Sequence, residues 1–231
     1  MIEFKNVVKN YNKTKALDKV SFNIMERRIT CILGVNGSGK TTALKSIMGL
    51  TPVDSGEILI DGAKLSYKDY NKLSFIADVP GVYGYMTIAE MLRFMEIFYD
   101  NWDMNKARRM VDYFKLQLKQ RIEELSKGNR ARLKLILAYS RKSKYILMDE
   151  PFSGIDFLTR ETFIETISEE FADEGQGLII TTHGIEEIES LADDIIILHH
   201  GRVLKEFSAE DAREQEGLSI MEVMREVYKN E

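Results

Sequence analysis

Cysteine is nearly missing from this chain: Cys31 stands alone among 231 residues. No internal disulfide can close, no cysteine cluster can hold a metal, and a reducing cytoplasm fits. Long apolar runs are missing too. No stretch reaches the ~18 apolar residues of a membrane-spanning helix, so a role at a membrane calls for a partner protein. Met1-Ile2-Glu3-Phe4-Lys5 lacks the apolar core and cleavage site of a secretion signal. Neither sign of charge prevails: 32 Lys and Arg face 37 Asp and Glu, a formal net charge of −5. That balance disfavours attachment to nucleic acid or anionic lipid by bulk charge, and no nucleic-acid partner is expected. Proline is confined to Pro52, Pro80 and Pro151, and no internal repeat or low-complexity tract occurs.

What is there reads as a folded α/β protein. Hydrophobic residues make up 44% and charged residues 30%, values that exclude a disordered chain. Short apolar runs without alternation stand before glycine clusters: Ile29 to Leu33, Tyr145 to Met148, Leu178 to Ile180 and Ile195 to Leu198. Such runs suit strands buried on both faces of a mostly parallel sheet. Charged, helical-looking stretches separate them, so helices are expected on both faces. Ile2 to Val8, Ala16 to Ile24 and Glu57 to Ile60 differ, with alternating or β-rich patterns and an Asp61-Gly62 turn. They predict a flanking antiparallel β layer. Residues about 85–140 are rich in helical pattern and aromatics, as an inserted helical subdomain would be. The expectation is one domain over 1–231, with a core of 1–84 and 141–231 around that subdomain. A strand from Val203 to Phe207 and a helix from about Ser219 complete the chain, with no room expected for an added regulatory domain.

Gly34-Val35-Asn36-Gly37-Ser38-Gly39-Lys40-Thr41-Thr42 fits G-x-x-x-x-G-K-[ST], after an apolar strand and before a helical segment. The glycines let backbone N–H groups turn inward around phosphates, and the helix N-terminus adds positive potential. Lys40 is expected at the β- and γ-phosphates and the Thr41 hydroxyl at Mg²⁺. Tyr145-Ile146-Leu147-Met148-Asp149-Glu150 is an apolar strand ending in acid. Asp149 is expected to hold the Mg²⁺ shell through water, and Glu150 to orient or deprotonate an attacking water. Together these define a P-loop NTPase.

Five further features follow in series: Tyr11, Asp78, Leu125-Ser126-Lys127-Gly128-Asn129-Arg130, Ser153-Gly154-Ile155-Asp156 after Glu150-Pro151, and Thr181-Thr182-His183. This order resembles the ATP-binding cassette (ABC) ATPases over essentially the whole chain. The resemblance implies a RecA-like core with a helical subdomain, ATP and Mg²⁺ as cofactors, and a sandwich of two ATPase subunits. Tyr11 would then stack on adenine, and His183 would meet the γ-phosphate and hold water with Glu150. Ser126, read as the N-cap of a helix through Leu133, Ile136, Leu137 and Ser140, would with Gly128 hold the partner subunit's ATP. Asp156 would sit at the dimer seam. His199 and His200 match no motif and read as turn residues before Gly201.

The chain also departs from the family pattern. Lys127 and Asn129 replace a glycine and a glutamine of the common signature L-S-G-G-Q. Asp78 stands where the family has a glutamine; it is expected to reach Mg²⁺ or a water, but is shorter and charged. These departures and the short tail resemble the ATPase subunits of bacterial two-component exporters. Val82-Tyr83-Gly84-Tyr85-Met86 and a Met91–Met95–Phe98–Trp102 helical face would form subdomain core and, in part, a groove for a membrane subunit. The implied function is an ATPase subunit at the inner face of the membrane that powers a separate transmembrane permease, with export as the expected direction. The rival reading is a soluble ABC ATPase acting in cofactor assembly or on nucleoprotein. A GTPase is disfavoured because Asn12-Lys13-Thr14-Lys15 and Asn71-Lys72-Leu73-Ser74 both lack the final aspartate of N-K-x-D.

Overall fold

The computed structural model describes residues 1–78 and 82–229. Pro80 and Gly81 of the sequence reading lie outside the described residues. The strands are β1 (Ile2–Tyr11), β2 (Thr14–Ile24), β3 (Ile29–Leu33), β4 (Ser55–Ile60), β5 (Ala63–Lys64), β6 (Leu73–Ile76), β7 (Tyr145–Asp149), β8 (Gly177–Thr182), β9 (Asp194–His199) and β10 (Arg202–Ser208). The helices are α1 (Lys40–Ile47), α2 (Ile88–Phe98), α3 (Met104–Tyr113), α4 (Lys127–Tyr139), α5 (Phe157–Glu174), the single turn α6 (Ala209–Asp211) and α7 (Ile220–Lys229). They form two compact units, Met1–Asp69 with Gly177–Glu231, and Tyr70–Gln176.

In the first unit, β2-β1-β4-β5 make an antiparallel sheet and β10-β9-β3-β8 lie side by side in a second. β3 runs parallel to both β8 and β9, while β9 and β10 pair as a hairpin. Every residue of β3 and of β8 is buried, which is why these strands show no alternation in sequence. β1 and β2 instead bury one face: Ile2, Phe4 and Val7 meet Leu17, Val20, Phe22 and Ile24, with the Phe4 and Phe22 rings stacked at 4.2 Å. Two tight turns use left-handed pairs, Asp61-Gly62 between β4 and β5 and His200-Gly201 between β9 and β10. The two histidines are therefore strand-end and turn residues, as their lack of a motif implied. Arg28 donates to both carboxylate oxygens of Asp194, at 2.6 and 2.8 Å, and fixes the starts of β3 and β9 against each other.

The second unit holds α2, α3, α4 and α5 with the parallel pair β6 and β7. Helix starts follow side-chain chemistry. The Thr87 hydroxyl accepts from the Glu90 amide, while the Glu90 carboxylate accepts from the Thr87 amide at 2.7 Å. Asp103 accepts from the Lys106 amide and starts α3. One expectation needs correction. Met91 and Met95 are buried on α2, but Phe98 is largely exposed and Trp102 lies past the helix end, in an isolated bridge with Arg141. α2 stops at Phe98 because Tyr99 turns to extended backbone, so the four residues share no helical face.

Cys31 sits in the middle of β3, fully buried, and burial raises its thiol pKa far above the ordinary value. A thiol reagent should thus react with the native protein only through opening of the core. In a pulse-labelling experiment at mildly alkaline pH, Cys31 should react at least about a thousandfold more slowly than in denaturant. Fast native labelling would mean that β3 is not the sealed strand described.

Candidate functional site

The first unit carries the loop between β3 and α1. Leu33 pairs with Thr182 on β8 and with Ile197 on β9, so the loop leaves the carboxyl end of the sheet with His183 beside it. Carboxyl ends of parallel strands are where α/β proteins bind ligands. A Cβ on Gly34 would collide with the Leu198 carbonyl, and one on Gly39 with the Ala16 carbonyl; Gly39 also has a φ of 111°. Both positions therefore require glycine. The loop is closed by Ser38 N–H donating to Val35 O at 3.1 Å and by Gly201 N–H donating to Ser38 O at 3.0 Å. Lys40 is buried, and its Nζ donates to Gly34 O at 2.7 Å and Val35 O at 3.3 Å. Asn36 and Gly37 lie at the exposed tip, Ser38 beneath it, and Thr41 and Thr42 in the first turn of α1. The buried ammonium is thus met by two loop carbonyls, at the positive end of a helix.

Tyr11 ends β1 and is half exposed, with Lys9 Nζ 5.5 Å from its ring and its hydroxyl donating to Thr51 Oγ1 at 3.4 Å. His183 follows β8 and is exposed; the Gly184 amide donates to Thr182 Oγ1 at 3.0 Å and fixes the turn.

The second unit carries the acids. β6 and β7 are in parallel register from Leu73↔Tyr145 to Ile76↔Met148. Asp78 therefore leaves the carboxyl end of β6 next to the strand end bearing Asp149 and Glu150. Asp149 is buried, while Glu150 is partly exposed with a φ of 47°. A non-glycine residue in that region is strained, and such strain gathers at functional positions. Ser153 N–H donates to Glu150 O at 3.1 Å and holds the turn.

The start of α4 belongs to the same unit. Ser126 Oγ accepts from the Asn129 amide at 3.2 Å, the N-cap that the spacing predicts. A Cβ on Gly128 would crowd Thr159 and come near Asp156, and the Lys127 side chain lies across Gly154. Asp156 in turn caps α5: its carboxylate accepts from the Thr159 amide at 3.0 Å and the Thr159 hydroxyl at 2.7 Å. The Thr159 amide, with lesser help from its hydroxyl, holds the Asp156 carboxyl below the usual carboxylate range. Sequence reasoning missed this contact between the signature turn and Ser153-Gly154-Ile155-Asp156; the D-x-x-T pattern at 156–159 signals the cap of α5 alone. It missed Lys134 as well, whose Nζ donates to Ala77 O at 2.8 Å.

An exposed aromatic group lies on the same unit. Tyr83 packs on Phe94 with ring centroids 5.4 Å apart, Phe94 on Phe98 at 4.3 Å, and Tyr83 on Tyr85 at 5.8 Å. Tyr83, Tyr85, Ile97 and Phe98 are all largely exposed. No helix among the described residues is long and apolar enough to cross a membrane.

A glycine-lined phosphate loop on one parallel strand and paired acids ending another define a P-loop nucleoside triphosphatase. Comparison with known proteins narrows this. Residues 17–153 match the ABC transporter family, and the chain belongs to it as an ATP-binding, ATP-hydrolysing domain. It is 30% identical over 218 residues to the uncharacterized ABC transporter ATP-binding protein MJ1023 of Methanocaldococcus jannaschii, covering 91% of this chain and 78% of that one. It is 28% identical over 210 residues to the lantibiotic transport ATP-binding protein SrtF of Streptococcus pyogenes, covering 89% and 90%. Among solved structures, an ATP-binding subunit of an ABC transporter superposes with a TM-score of 0.87 at 27% identity, over 99% of both chains. The dimeric post-hydrolysis state of the cassette MJ0796, bound to ADP and Pi, gives 0.80 at 25% identity, over 90% of this chain and 98% of that one.

The two loop glycines predict different costs. Gly37→Ala meets open space at a φ of 82° and should cost only backbone strain, ~1–2 kcal/mol. Gly39→Ala adds the collision with Ala16, a further ~1–3 kcal/mol. Urea unfolding of the two variants should rank them in that order, and the reverse order would contradict the loop geometry.

Proposed function

We propose that this chain hydrolyses ATP to ADP and phosphate in a head-to-tail dimer and powers a separately encoded transmembrane permease, in the export direction. The observation that carries the proposal is the closed phosphate loop of the first unit, with Lys40 buried on its carbonyls; the second unit contributes the strand-end acids Asp149 and Glu150. In domain terms, we read residues 1–84 and 141–231 as the ATPase core and 85–140 as its helical subdomain.

Each side chain has a role in that reading. Asn36, Gly37, Ser38, Gly39 and Thr42 cradle the phosphates, and Lys40 exchanges its loop carbonyls for phosphate oxygens. Tyr11 supplies a ring face to the adenine, a contact worth ~1–3 kcal/mol that tolerates either purine. Glu150 takes up the proton of the attacking water, and His183 holds that water and the γ-phosphate. Ser126 and Gly128 offer helix N–H groups to the nucleotide of the second subunit.

The donor set fits Mg²⁺. Thr41, Asp78 and Asp149 are hard oxygen donors, and no group of three or more His, Cys, Asp or Glu suited to a protein-only cage occurs among the described residues. Mg²⁺ prefers this arrangement, one or two carboxylates completed by water and phosphate. When bound, it neutralises charge developing on the phosphates.

Support for a membrane partner comes from the exposed Tyr83, Tyr85 and Phe98, grouped around the half-buried Phe94 as an apolar seat for a helix. A permease helix seated there would keep the chain at the inner face of the membrane. Support for a transport role comes from SrtF, whose name assigns it to lantibiotic transport and whose length this chain nearly covers.

Glu150→Gln should lower hydrolysis by about 10²–10⁴-fold and accumulate ATP-bound dimers, seen by size-exclusion chromatography with ATP. Near-wild-type turnover in that variant would remove Glu150 from its role. Lys40→Ala should weaken nucleotide binding by about 10–100-fold, read by titration with a fluorescent ATP analogue. Tyr83→Ala and Tyr85→Ala should abolish transport in vesicles holding the permease while basal ATPase persists; normal coupling in both would sink the docking seat.

A further inference from the structure

One side chain joins Asp78 to the signature helix. Lys134 lies two turns into α4, and its ammonium donates to the carbonyl of Ala77, the residue before Asp78, at 2.8 Å. The two ends of this bond are 57 residues apart in sequence. It links the free end of β6 to the helix whose start is capped by Ser126. The ammonium is partly withdrawn from water: burial lowers its pKa, the Asp78 charge opposes this, and Arg130 and Lys127 add to it. A lysine on a helix surface ordinarily extends its flexible stem to bulk water at little cost. Here it is folded inward beside two further cations, which is unfavourable unless the acceptor and the carboxylate offset the cost.

The pairing also fits the departure at position 78. A glutamine there would bring no charge to the end of β6. Aspartate does, and Lys134 is the cation set against it.

We propose that Lys134 is a positioning residue for the ATPase reaction: it holds the Ala77–Asp78 strand end to α4, so that Asp78 and the Ser126 helix start shift as one piece. This rests on the roles given above to Asp78 at one nucleotide and Ser126 at the other. A change at one phosphate site then reaches the helix serving the second through the charge-assisted hydrogen bond of Lys134 to Ala77. Lys134 itself touches no substrate.

The test compares full-length wild type, Lys134→Met and Lys134→Arg. Methionine keeps the apolar stem and removes the donor; arginine keeps a donor. Three quantities are read: affinity for a fluorescent ATP analogue, kcat, and amide hydrogen exchange across residues 73–78. Lys134→Met should lose about tenfold in kcat and exchange about tenfold faster over 73–78, the scale of one charge-assisted hydrogen bond. Its nucleotide affinity should stay within about twofold, because the Lys40 loop is untouched. Lys134→Arg should recover most of both losses. Wild-type kcat and exchange in Lys134→Met would overturn the proposal. So would equal losses in both variants together with a large fall in Tm, the mark of a merely structural lysine. Wild type that binds ATP without hydrolysing it would defeat the ATPase reading before any variant is compared, and the exchange comparison would still judge the tether.

Discussion

A buried ammonium must be answered by oxygen, and the phosphate loop is shaped around that demand. Lys40 lies beneath the loop and bonds the Gly34 and Val35 carbonyls. The chain turns through left-handed glycines at 37 and 39 to bring Lys40 back to these carbonyls. Gly34 and Gly39 are further fixed by what presses on them, the Leu198 carbonyl from β9 and the Ala16 carbonyl from β2. The antiparallel layer is thus part of the phosphate site: β2 forms one wall of the loop, and the β9–β10 turn holds another through Gly201. A preformed loop costs little ordering when nucleotide arrives, and electrostatic preorganisation of this kind is where most phosphoryl-transfer catalysis resides.

The core strands were legible in the sequence because each is buried on both faces over its middle and carries an apolar run there. Ile29 to Leu33 was marked without error, and Tyr145 to Met148 missed only Asp149. The phosphate loop was legible because its chemistry leaves few alternatives at each position. The Met91–Met95–Phe98–Trp102 face was misread for a physical reason. Helical spacing shows which residues would align if the helix continued, but not where the backbone turns extended, and Tyr99 ends it. The contacts of Lys127 with Gly154 and of Lys134 with Ala77 were out of reach. Both link residues far apart in the chain, and a surface lysine carries no sign of which carbonyl or glycine will receive it.

The strain at Glu150 fits the chemistry assigned to it. A left-handed residue after a buried strand end turns the chain sharply, so Asp149 stays inside while Glu150 emerges at the rim. An acid meant to handle water needs that partial exposure, whereas one meant to shape a metal shell gains from burial. Two adjacent carboxylates thus acquire different environments from one unfavourable φ, and separating the environments of neighbouring acids is how their roles diverge.

The start of the signature helix poses the opposite problem. Lys127, Arg130, Arg132 and Lys134 crowd the first two turns of α4 with no acid among them, against the helix dipole. The fold directs most of this charge into its own acceptors. Arg130 donates to the Ile122 and Glu123 carbonyls, Arg132 to the Asn129 side chain while facing the Phe114 ring, and Lys134 to Ala77. Lys127 lies over Gly154, beside the Asp156 cap of α5. The cations therefore serve first as struts binding the helix to its neighbours, and their positive potential remains at its N-terminus. In the proposed dimer that potential would favour an anionic nucleotide at the Ser126 turn.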